Sequence, residues 1–165
     1  MWLGATSVAV VAGVFGGIVQ SLLPPAVRLA LLGLAAGAVL LREAGLITLP
    51  VPENKRLVPE HVLQRGRVFG GIQFGFEMGT GMRTYSPSSL PHLVLLAILL
   101  VVPFSGALAA AGGFAAARWI MAAASIAHSD DGSWSELWSS HRRILAIVTT
   151  VATIASLAIG VWAAG

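Results

Sequence analysis

From Leu93 to Ala127 the chain runs for 35 residues with a single charge, Arg118. As one straight helix this run would be about 52 Å long, against a hydrocarbon core of roughly 30 Å. It is therefore expected to break, and Pro103-Phe104-Ser105-Gly106 is the place to do so, because proline cannot continue a helix. The break predicts two helices, Pro91–Val102 and Gly106–Ala127. Four further apolar runs accompany it: Trp2–Leu23, stopped by Pro24-Pro25; Ala26–Leu41; Val68–Met82; and Ile144–Ala164. Arg28 and Arg42 belong to the second run and its edge, where long basic side chains snorkel to the interface. Such runs predict an all-α polytopic transmembrane bundle of five or six spans, a single integral membrane domain over residues 1–165.

Composition argues the same way. Hydrophobic residues make up 56% of the chain and charged ones only 10%, where a soluble domain carries about 25% charged residues. There is no cysteine, which excludes disulfides, thiolate metal sites and thiol relays. Ten Lys+Arg against seven Asp+Glu is a small basic excess. It suits loops facing anionic lipid and is too small for a nucleic-acid surface. The first run has no positively charged segment before it and is expected to be retained, not cleaved. The lipid bilayer is thus the expected partner, with a membrane protein or a second copy of the chain as a further one, and the cell membrane the expected location.

Two polar stretches separate the runs. Arg42–Arg67 holds five basic residues and three prolines, and reads as a basic cytoplasmic loop. Residues 128–143 carry Trp134 and Trp138, four apart and so on one face of a helix, and read as an interfacial connector. With the N-terminus inside, six spans would put Arg142-Arg143 outside, against the positive-inside tendency. Five spans would put the pair inside.

A repeat runs through the apolar segments. Val14-Phe15-Gly16-Gly17-Ile18 recurs as Val68-Phe69-Gly70-Gly71-Ile72, and each copy is followed by a glutamine, Gln20 or Gln73, and then by proline. Related halves with glycine- or proline-interrupted segments point to a site between them in transporters. The stretch Phe74 to Gly81, followed by Tyr85-Ser86-Pro87, together with the glycine-rich first run, resembles the transmembrane family of cytochrome c biogenesis proteins CcdA and DsbD over roughly residues 10–125. The resemblance implies two inverted repeats. It also implies a scaffold without that family's chemistry, because its redox cysteines are missing here.

Ionisable groups within apolar runs are costly and mark functional sites by default. Glu77 lies inside the most glycine-rich segment and Arg83 at its end, and Gln73, Gly79, Gly81 and Arg118 complete the candidate binding set. Six residues separate Glu77 from Arg83, about 240° on a helix, so a direct pair would need unwound backbone at the local glycines. Glu77 paired with Arg118 or Arg28 for packing is the alternative reading. His92, His128 and His141 form no metal set, no catalytic motif appears, and no cofactor or enzymatic activity is expected. Gly13 to Gly17 and Gly33 to Gly37 are small-xxx-small pairs suited to close helix packing. Two functions are compatible with these features. One is a permease-like protein with its polar site on a glycine-broken third helix. The other is an accessory subunit of a larger membrane complex.

Overall fold

A computed structural model describes residues 1–50, 67–80, 88–127 and 133–164. These form six helices: α1 (Trp2–Leu22), α2 (Pro25–Glu43), α3 (Arg67–Thr80), α4 (Leu90–Leu100), α5 (Phe104–Ala127) and α6 (Ser133–Ala164). Four of them, over Trp2–Leu22, Pro25–Glu43, Phe104–Ala124 and Ser139–Trp162, are long and apolar enough to cross a membrane. The protein is an all-α bundle of membrane-spanning character.

The helix boundaries follow from proline and from the breaks it forces. Pro24 caps α2 and Pro25 opens it, where a missing N–H costs nothing. The long apolar run does break near Pro103, into Leu90–Leu100 and Phe104–Ala127. Val101 and Val102 both donate to the Ala97 carbonyl, which closes α4 before the proline.

Contacts fix the directions. Gly16 lies against Ile98 and Gln20 reaches Val102, so α4 runs with α1. Gly13 faces Phe104 and Ala107 while Trp2 faces Gly112, so α5 runs against α1. The Pro103 break is thus a reversal, and α4 and α5 form a hairpin. Arg28 reaches Leu100 and Glu43 reaches Ser89, so α2 runs against α4. Arg143 of α6 donates to the Ala44 carbonyl just past α2.

Small residues set the packing around α1. Its buried positions are Gly4, Ala5, Ala9, Gly13 and Gly16, and Ala107, Ala111 and Ala115 of α5 join them in one cluster. Lipid provides little hydrophobic drive between helices, so close van der Waals contact of small residues does this work. A second cluster, Leu32, Leu93, Ala97 and Leu100, holds α2 to α4, with Ile154 and Leu157 of α6 against it.

Three expectations change. The third helix is continuous from Arg67 to Thr80 through Gly70, Gly71, Gly75 and Gly79 and is not broken there. Two of its glycines, Gly75 and Gly79, serve approach to the start of α1: a side chain on either would strike the Met1 backbone, and one on Gly4 the Phe76 carbonyl. Residues 133–143 are not a separate connector helix but the first turns of the 32-residue α6. Gly33 and Gly37 face no neighbour within van der Waals reach, and of the Gly13–Gly17 pair only Gly13 is packed, with Gly16 and not Gly17 as the second close-approach point.

Candidate functional site

The helix directions gather the described charged groups, Arg28 apart, at one end. The end of α3 lies on the start of α1, through the Gly4 and Gly79 contacts, so Glu77 sits level with the first turn of α1. α5 passes Trp2 at Gly112, so Arg118 lies about 9 Å further on in the same direction. There its guanidinium stands 5.5 Å from the Phe114 ring centroid, within cation–π reach. Arg42, Glu43 and Arg143 meet at this end as well. Arg118 is central in its apolar run yet displaced from the centre of the bundle, because α5 starts beside Gly13 and overshoots α1.

Within this end, Gln73 and Glu77 form one unit. The Gln73 side-chain amide donates to Glu77 Oε1 at 3.1 Å, and Thr80 Oγ1 donates to the Glu77 carbonyl at 2.9 Å. Four residues apart on α3, Gln73 and Glu77 share a face. Gln73 also lines an open groove with Phe69, Ile72 and Phe76. Gly79 is the close-approach point to α1. Arg83 and Gly81 lie outside the described residues. No hydrogen bond or ion pair among the described residues joins Glu77 to Arg118 or to Arg28; Arg28 instead donates to Leu100 O.

A second polar unit went unread in the sequence. Glu43, with its side chain 6% exposed, accepts through Oε1 from Arg42 Nη1 at 3.1 Å, the Ser89 amide at 2.9 Å and the Ser89 hydroxyl at 3.2 Å. Ser89 is the N-cap of α4 yet makes no side-chain cap of its own. The carboxylate of α2 supplies that cap from outside, at the positive end of the α4 dipole. At the other end of α4, Arg28 Nη1 donates to Leu100 O at 3.1 Å. Gln20 Nε2 bridges Ile98 O and Val102 O, both at 3.1 Å. These are carbonyls that Pro103 and the chain reversal release, and in lipid each must find a donor. One helix, α2, thus places an acid at the start of α4 and a base at its end. The available signal was the spacing: Arg28 and Glu43 are 15 residues apart, about 22 Å along a helix, enough to bracket the 11-residue α4.

The two copies of the repeat have different surroundings. In the first, Gly16 lies on the α4 backbone and Gln20 caps it. In the second, Gln73 holds Glu77 on its own helix. Among the described residues no cluster of three or more potential metal ligands occurs. No protein-family model, curated protein or solved structure matches the chain.

Proposed function

We propose that this is a permease-like integral protein of the cell membrane, with the Gln73–Glu77 unit as its polar site and Arg118, Gly79, Gly81 and Arg83 around it. One observation carries the reading. A carboxylate on a mainly apolar helix is held by an amide that also lines an open, aromatic-lined groove. Such a group is expensive near lipid and is kept where it meets a solute or an ion. The site lies at the end of the bundle that gathers the basic residues, which the positive-inside tendency assigns to the cytoplasm. The CcdA/DsbD-like scaffold, with its inverted halves and without its thiols, belongs to the same proposal.

Glu77→Gln tests it. The variant keeps the shape of the side chain and removes its charge. Small molecules accumulated by membrane vesicles carrying wild type or variant, matched for inserted protein, are profiled by mass spectrometry. A solute that wild type accumulates and Glu77→Gln does not is the expected result. Identical profiles would sink the permease reading.

The second reading is an accessory subunit, favoured by the outer face of α2. Ala30, Gly33, Leu34, Gly37, Ala38 and Leu41, with Ile47 folded beside them, form an open apolar groove that none of the described helices fills. In that case Glu77→Gln is silent, and the protein leaves mild detergent together with a stoichiometric partner.

A further inference from the structure

We draw no further inference here: the strongest candidate, the open apolar groove on the outer flank of α2 lined by Gly33, Leu34, Gly37 and Leu41, is a face of mostly small residues, and nothing in the structure shows what covers it.

Discussion

Where α1 begins, side chains of opposite charge meet, with Arg42 on Glu43 and the Glu43 carboxylate on the first amide of α4. Where α1 ends, the described charge is Arg28, and it is turned onto the Leu100 carbonyl. Both ends solve one problem. A helix of 11 residues is too short to cross the hydrocarbon alone, and its terminal groups need partners from other helices. The first end meets that need with a carboxylate and an arginine bound to each other. The second meets it with donors alone, Gln20 and Arg28, because free carbonyls ask only for donors. The difference teaches that the described charges on α2 are sorted by end, and that α2 and α4 share the sorting.

An all-or-none readout breaks or keeps this comparison first. The chain has no cysteine, so single cysteines introduced at Leu46 and Ser139 report on one end and a cysteine at Trp162 on the other. Leu46→Cys and Ser139→Cys are expected to react with an impermeant maleimide from the same side of the membrane, and Trp162→Cys from the opposite side. Labelling of Leu46→Cys and Ser139→Cys from opposite sides would separate α2 and α6 and undo the shared end.

Next in size is Glu43→Ala. It takes the carboxylate away from Arg42, which is 20% exposed and keeps its bonds to Ser89 Oγ and Leu49 O, and it removes the cap of α4, a loss of about 3 kcal/mol, the lower end for breaking a buried pair. Denaturant unfolding in micelles measures it. Glu43→Ala together with Arg42→Ala is expected to recover part of that loss, since the guanidinium then no longer has to be accommodated without the Glu43 carboxylate. A double variant as unstable as the single would assign the effect to the cap and not to the pair.

The smallest effect is at the far end. Gln20→Leu leaves Ile98 O and Val102 O without their shared donor, and is expected to cost about 1 kcal/mol in the same unfolding measurement, the scale of interhelical hydrogen bonds in membranes. A loss as large as that of Glu43→Ala would mean that the two ends are held with similar strength and that charge is not what distinguishes them.

The break at Pro103 and the stop at Pro24-Pro25 were legible in the sequence, since a missing amide ends a helix whatever surrounds it. The fate of the glycines was not. Gly70 to Gly79 look like a helix breaker in sequence, but α3 runs through them unbroken, and α1 comes close enough to need the bare backbone of Gly75 and Gly79. Gly33 and Gly37 carry the same spacing as packed pairs and touch nothing. Glu77 stood out as a lone acid, and its helical spacing from Gln73 made their contact readable. Glu43 did not stand out, because beside Arg42 it looked like the first residue of a polar loop.

Composition and apolar run length by themselves determined that the chain is a helical membrane bundle, because a surface with so few charges is not stable in water and backbone in lipid must bond within its own helix. Only the tertiary structure decided which way each helix runs, and with that where each charge lies. Arg118 is central in its run and near one end of the bundle, since depth follows from the neighbour a helix packs on and not from the count of residues on either side. Arg143 reaches Ala44 across 99 residues of chain, which places it beside the start of the Arg42–Arg67 loop, a neighbour that no reading of the linear sequence supplies.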